Sequence, residues 1–160
     1  MFTAITHTLT QLRQDRRGVS AVEFAIIGTM LATLLLAAYD FGNAAQQQIQ
    51  LQEAVRSGGA FATRWPTNVS GIQNAVSSAL PASWVLTTPG GVATVACSCL
   101  DPSTGNVTAL PGCATANFDT CTSGSGLLIS VTATMAYTSI DTLFASAIPN
   151  LSATYVTRFQ

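Results

Sequence analysis

Four cysteines within one window of the chain are the side chains best able to do chemistry: Cys97, Cys99, Cys113 and Cys121. Four thiols can form two disulfides or hold one zinc ion. Because Cys97 and Cys99 are two positions apart in an extended stretch, their side chains share a face and a bond between them is disfavoured. Disulfides from these two to Cys113 and Cys121, in either order, are therefore predicted.

Zinc is the competing chemistry for these thiols. The C-x-C pair with two distant cysteines is not a standard zinc spacing, and the absence of a C-x-x-C motif argues against redox catalysis. Each predicted bridge would close a loop of roughly 15–25 residues and contribute about 3 kcal/mol in the chain-entropy model. The segment from Asp101 to Asp119 is then expected to be a surface loop held by the bridges.

Catalytic groups are scarce elsewhere in the sequence. The only histidine is His7, near the N-terminus, and there is no lysine. Asp101, Asp119 and Asp141 have no spacing that favours a metal site or an acid pair. Six arginines against seven acids give a net charge of −1, which is a poor basis for binding nucleic acid. The sequence predicts no enzyme, no cofactor, no metal and no nucleic-acid partner.

A glutamate inside an apolar run is the second group that needs a chemical reason. The run from Val19 to Tyr39 would make roughly 32 Å of helix, enough to cross a bilayer core. Three arginines precede it: Arg13, Arg16 and Arg17. Positive residues on that side alone predict a cytoplasmic N-terminus and an exterior C-terminal part.

Three interpretations fit this run: a buried helix of a soluble protein, a cleaved secretory signal and a retained membrane anchor. The charge asymmetry disfavours the first. The length of the run, the acid within it and the lack of an A-x-A site disfavour the second. A retained anchor is therefore predicted.

Glu23 makes physical sense if the chain is cut between Gly18 and Val19. The new α-amino group on Val19 would then lie four positions before Glu23, on the same helical face. Glu23 could pair with that amine or with the amine of a neighbouring subunit, and the helix dipole also favours an acid there.

The type IV prepilin processing signal is similar to one pattern in this chain: Gly18, four residues, Glu23-Phe24 and then an apolar run. The stretch Arg16-Arg17-Gly18-Val19-Ser20-Ala21-Val22-Glu23-Phe24-Ala25 resembles the opening of TadE-like proteins, the minor pilins or pseudopilins of the tight-adherence (Tad/Flp) pilus. The resemblance extends to residues 51–58 (Leu-Gln-Glu-Ala-Val-Arg-Ser-Gly) and, more loosely, to residues 151–158.

The resemblance implies a function and its partners. A prepilin peptidase would cut after Gly18, with Glu23 and Phe24 acting in processing and assembly. The subunit would work in the bacterial inner membrane with other pilins and the Tad assembly machinery, with its C-terminal domain in the periplasm, and it would support adherence. The alternative is an uncleaved, single-pass exterior binding or scaffold protein.

The remaining pattern predicts an α+β fold, in which a long helix packs on a small antiparallel sheet, similar to pilins. The predicted regions are a leader over 1–18, a membrane segment over 19–39, a helix continuation over 40–64 and an exterior domain over 65–160. On the helix continuation, an apolar stripe is expected to pack on the sheet, and Glu53 and Arg56 can pair. The stripe comprises Phe41, Ala44, Ala45, Leu51, Val55 and Ala62.

Beyond the long helix, Gly and Pro residues mark the turns between the predicted elements. Ser70 is expected to cap a helix over 71–80. Strands are predicted over 84–88, 92–99, 127–137 and 151–159, the third with clear alternation. An apolar loop containing Leu143-Phe144 and Ile148-Pro149 is expected to dock on the core.

Overall fold

The computed structural model of the chain describes residues 16–114, 121, 126–140 and 150–159. Most of the predicted leader, the predicted docking loop, His7, Asp119 and Asp141 lie outside the described residues. The chain divides into two compact units, Met1–Phe41 and Gly42–Gln160. Helix α1 spans Arg16–Ala62 and therefore contributes to both units.

The second unit contains one short helix and a four-stranded antiparallel sheet. Helix α2 spans Val69–Ala79, and a 3₁₀ turn follows at Pro89–Gly91. The strands are β1 (Thr94–Leu100), β2 (Val107–Ala109), β3 (Gly126–Ala136) and β4 (Asn150–Phe159). Their order in the sheet is β2-β1-β3-β4, with every neighbouring pair antiparallel. The predicted α+β class is confirmed.

The core of this unit lies between one face of the sheet and the two helices. The predicted alternation of β3 is confirmed, since its odd-numbered positions are buried: Leu127, Ile129, Val131, Ala133 and Met135. Ile72 and Val76 of α2 are fully buried in the same cluster. Burial of such side chains is worth about 1.5–3 kcal/mol each and supplies the main driving force for folding.

The part of α1 from Gly42 to Ala62 buries a stripe that largely matches the prediction. Its buried residues include Ala44, Leu51, Ala54, Val55 and Ala62. The prediction was wrong for Phe41 and Ala45, which are exposed. Ala45 follows Ala44 directly and is therefore rotated by about 100° from the buried face.

The predicted cap of α2, Ser70, and its predicted bounds, 71–80, need correction. Asn68, not Ser70, caps the helix: its side-chain oxygen accepts a hydrogen bond of 2.9 Å from the amide of Gly71. Ser70 lies inside the first turn and donates to that same oxygen. Leu80 has an extended backbone and ends the helix, because a residue before proline is pushed out of the helical region.

The prediction of a strand over residues 84–88 is wrong. This segment makes a single isolated bridge, between Leu86 and Met135, beside a hydrogen bond from the amide of Thr87 to the carbonyl of Thr134. Pro81 and Pro89 bracket it, and proline supplies no amide to a ladder. Conversely, β2 forms inside the segment that was expected to be a loop. Gly105, at φ +72°, provides the turn that lets β2 pair with β1.

Candidate functional site

The residues predicted for processing lie on the exposed surface of α1. Gly18, Val19 and Glu23 share one surface of the helix with Val22 and Ile26. Phe24 is 78% exposed but is not part of that surface, because it is the next residue round the helix from Glu23. Since the described helix begins at Arg16, the Gly18–Val19 bond is helical in the uncut chain.

Apolar side chains surround the first part of α1 and are not covered by the protein. Among the described residues, α1 is the one helix long and apolar enough to cross a membrane, and none of its most apolar window is buried. A helix that is apolar on all sides and uncovered belongs in lipid or against other subunits. It is therefore a candidate membrane anchor. Its exposed apolar side chains include Val19, Val22, Phe24, Ile26, Ile27, Met30, Leu31, Leu34, Leu35 and Leu36.

Two hydroxyl groups in this stretch are satisfied within the helix itself. Thr29 donates to the carbonyl of Ile26, and Thr33 donates to that of Met30, both at 2.9 Å. A hydroxyl with such a bond needs no water, so it can lie in hydrocarbon at little cost. Glu23 is the only acidic or basic residue from Gly18 to Tyr39. It is therefore the one strongly polar group of the segment that calls for a partner.

In the second unit, the four cysteines form two disulfides that leave the same face of β1. Cys97 is bonded to Cys113, and Cys99 to Cys121, with Cα atoms 5.3 Å and 5.6 Å apart. This is one of the two cross-pairings that the sequence left open. The first bridge is buried and the second is half-buried. Together they fasten the chain that follows β1 to the sheet, so thiol chemistry, including zinc binding, is excluded while they are intact.

A hydrogen-bonded turn joins β1 to β2. The carboxylate of Asp101 accepts hydrogen bonds from the hydroxyl and the amide of Ser103, at 2.6 Å and 2.9 Å. These bonds favour the ionised form and lower the pKa of Asp101 from its ordinary value of 3.8 to about 2. The carboxylate is thus explained by turn geometry.

Acidification is expected to weaken this turn. The pKa of Asp101 is lower in the folded chain than in the unfolded chain, so its contribution is complete above about pH 4 and is lost as the pH falls towards about 2. The melting temperature of the wild type should therefore approach that of an Asp101→Asn variant over this range. A melting-temperature difference that stays constant from pH 6 to about pH 2 would contradict the assignment.

Within the described ranges, no group of three or more His, Cys, Asp or Glu side chains is placed to hold a metal ion. The predicted pairing of Glu53 with Arg56 is also not formed in that part of the chain. The predictions of no enzyme and no cofactor stay predictions.

Residues 18–59 match the family model described as TadE-like protein. The chain carries a TadE-like segment. The match confirms the resemblance over residues 18–59, which include the 51–58 pattern but not residues 151–158, and it associates the chain with the Tad pilus system. Comparison with curated proteins and with solved structures gives no match. TadE-like proteins are not an enzyme family.

The TadE-like segment ends where α1 packs most closely on its own unit. A Cβ atom at Gly58 would clash with Cγ2 of Val76 in α2 and lie 3.5 Å from Val131 in β3, and one at Gly59 would clash with the ring of Tyr155 in β4. The absence of side chains at Gly58 and Gly59 lets α1 approach α2 and the sheet, and the Leu-Gln-x-Ala-x-Arg-x-Gly pattern, which ends at Gly58, was the available signal.

Proposed function

We propose that this chain is a minor pilin or pseudopilin required for assembly of a tight-adherence pilus. The observation that carries the proposal is the TadE-like match over residues 18–59, which begins at Gly18 and includes Glu23 and the apolar helix. The uncovered apolar side chains of α1 support a helix that lies in the inner membrane before assembly and among other subunits afterwards.

A prepilin peptidase is proposed to cut the bond between Gly18 and Val19. In the uncut chain this bond lies within α1, so the peptidase must select or induce local unwinding. Glycine has a low helix propensity, which lowers the cost of that unwinding by about 0.5–1 kcal/mol relative to alanine. After cleavage, Val19 becomes the start of the helix and its amine lies one turn from Glu23.

The proposed topology follows from the same features. The arginines before Val19 would stay in the cytoplasm, and the disulfide-bearing unit would lie in the periplasm, where disulfides persist. Other pilins and the Tad membrane machinery are the proposed partners. In this scheme the Gly42–Gln160 unit is the part available for contacts outside the membrane.

We expect mature protein from wild-type cells to begin at Val19, and protein from cells without the prepilin peptidase to retain the leader. N-terminal sequencing and intact mass of the membrane-extracted protein measure this directly. A leader that is retained in both strains would contradict processing and would favour the uncleaved anchored module.

Glu23→Ala is expected to leave cleavage largely intact but to impair incorporation into pili, because the amine of Val19 or of a neighbouring subunit loses its partner. Processing is read from mass, and incorporation from the amount of subunit in sheared pilus fractions of a deletion strain. Ser20→Ala, on the same stretch, is the matched control and should incorporate normally. Normal incorporation of Glu23→Ala would refute the pairing.

A further inference from the structure

Strand β4 is a long, regular edge of the sheet. It pairs with β3 over ten consecutive residue pairs, from Ala136↔Asn150 to Leu127↔Phe159. It contains neither proline nor glycine, and its pairing register is continuous. The opposite edge, β2, has only three residues. Proteins usually shorten, bend or cover the edge strands of their sheets. Because β4 is long and regular, it is the edge of this sheet suited to accept another strand.

Two hydrogen bonds establish which backbone groups of β4 point outward. The carbonyl of Thr134 accepts from the amide of Thr87, away from β4, and the carbonyl of Ser152 accepts from the side chain of Gln48 at 2.7 Å, away from β3. The pair Thr134↔Ser152 is therefore a non-hydrogen-bonded pair of the antiparallel ladder.

Because hydrogen-bonding direction alternates along a strand, the next outward residues are Thr154, Val156 and Arg158. Their amides and carbonyls have no partner among the residues that the structure describes. Val156 is also 54% exposed through its side chain. Three successive outward positions are enough to register an added strand.

A groove runs beside this edge. It is lined by Gln52 and Arg56 of α1 and by residues 152–155 of β4, and we call it the β4 groove. Its volume of about 250 Å³ is below the usual range for small-ligand pockets, about 300–1,000 Å³. It follows residues 152–155 of β4, so it suits a side chain of an extended segment that pairs with this strand.

The charge of the groove selects its occupant. Arg56 is exposed and forms no ion pair within the described part of the chain. Glu53, the only acid of α1 after Asp40, does not line the groove. Arg158 does not line the groove, since its side chain lies over Gly126 on the opposite face of the sheet. Strand β4 contains no acidic residue, so pairing with β4 of a second copy would leave Arg56 without an opposite charge, which disfavours self-pairing.

We infer that the β4 edge binds an extended segment of a partner protein by strand addition, with an acidic side chain of that segment in the β4 groove against Arg56. The backbone of the segment would pair with Thr154, Val156 and Arg158. Strand addition obtains affinity from main-chain hydrogen bonds and specificity from alternate side chains. This binding is independent of cleavage after Gly18, so failure of the proposed processing would not affect it.

The test uses the full, disulfide-bonded chain in a mild detergent and a fluorescent peptide, acetyl-Thr-Val-Thr-Asp-Thr-Val-Thr-amide. Fluorescence anisotropy should show saturable binding. Methylation of the peptide amides that face β4 should weaken it by about tenfold or more, whereas methylation of the alternate amides should have little effect. No saturable binding, or equal effects of both methylation patterns, would overturn strand addition.

Val156→Pro removes one outward amide, a position where an edge strand tolerates proline. It should reduce peptide binding by about tenfold or more, whereas Val156→Thr, which keeps the amide, should bind as the wild type does. Unchanged binding by a folded Val156→Pro variant would overturn the assigned edge. If this variant does not fold, the methylated peptides on the wild-type chain still decide.

Arg56→Gln tests the charge selection. The wild type should prefer the Asp peptide over its Asn counterpart by about fivefold, and the variant should lose that preference. A preference that persists in Arg56→Gln would overturn the role assigned to Arg56.

Discussion

Replacing Cys97 and Cys113 together by alanine is expected to lower the free energy of unfolding by about 2–5 kcal/mol, the range for removing a native disulfide from a small secreted domain. The bridge closes a sequence separation of 16 residues, which gives about 3 kcal/mol from chain entropy. Both sulfurs are also buried in the core, where Cys97 lies opposite Ile129. Their removal therefore costs packing as well.

The matched control is the double alanine variant of Cys99 and Cys121. That bridge spans 22 residues, so loop entropy alone would make it worth a few tenths of a kcal/mol more. Its sulfurs are only half-buried, however, and less packing is lost. Denaturant unfolding of the full chain in detergent, followed by near-UV circular dichroism, should show the larger loss for Cys97/Cys113. The reverse order would mean that loop closure outweighs burial.

Gly58→Ala is expected to destabilise the Gly42–Gln160 unit by about 1–3 kcal/mol, the usual cost of overpacking a core. The added methyl group would clash with Val76, which is fully buried and stiff at its Cβ atom. It would also lie 3.4 Å from the carbonyl oxygen of Ile72. To accommodate it, α1 and α2 must move apart.

Gly42 provides the matched control on the same helix, since a Cβ atom there meets nothing within 4 Å. Gly42→Ala should stabilise the helix by about 0.5–1 kcal/mol, because alanine loses less backbone entropy on folding. The two substitutions are chemically identical, so opposite signs in the same unfolding assay would isolate the packing at Gly58. A stabilising effect of Gly58→Ala would refute the close approach of the two helices.

Periodicity predicted the parts of the fold in which one face of a regular element is buried. The alternation in β3 and the stripe on α1 identified Ile129, Val131, Leu51 and Val55 correctly, because a period of two or 3.6 residues reflects burial directly. Short elements escaped prediction. β2 has three residues, all exposed, so its formation depends on pairing with β1 and leaves no hydrophobic pattern.

The sequence also could not decide between nearby residues of similar chemistry that compete for the same role. Asn68 and Ser70 are both good helix caps, and the backbone geometry before Val69 decides for Asn68. Likewise, Cys97 and Cys99 share a face of β1, so either could bond with Cys113. The path of the chain after β1 decides which disulfide forms. The residues proposed for processing differ again: Gly18, Val19 and Glu23 are recognisable by spacing, but the roles proposed for them involve other proteins.

The two disulfides interleave along the chain, since Cys99 lies inside the first loop and Cys121 lies beyond it. In the proposed topology the unit is exported with its N-terminal end first. Cys97 and Cys99 would then be the first thiols to meet oxidant, and neither native bond would be available to them until Cys113 arrives. Oxidation in that order would give wrong pairs, which only thiol–disulfide exchange can correct. Under the proposed topology, maturation of this chain is therefore expected to depend on a disulfide isomerase, or on a chaperone that keeps the first two thiols reduced until the third is exported.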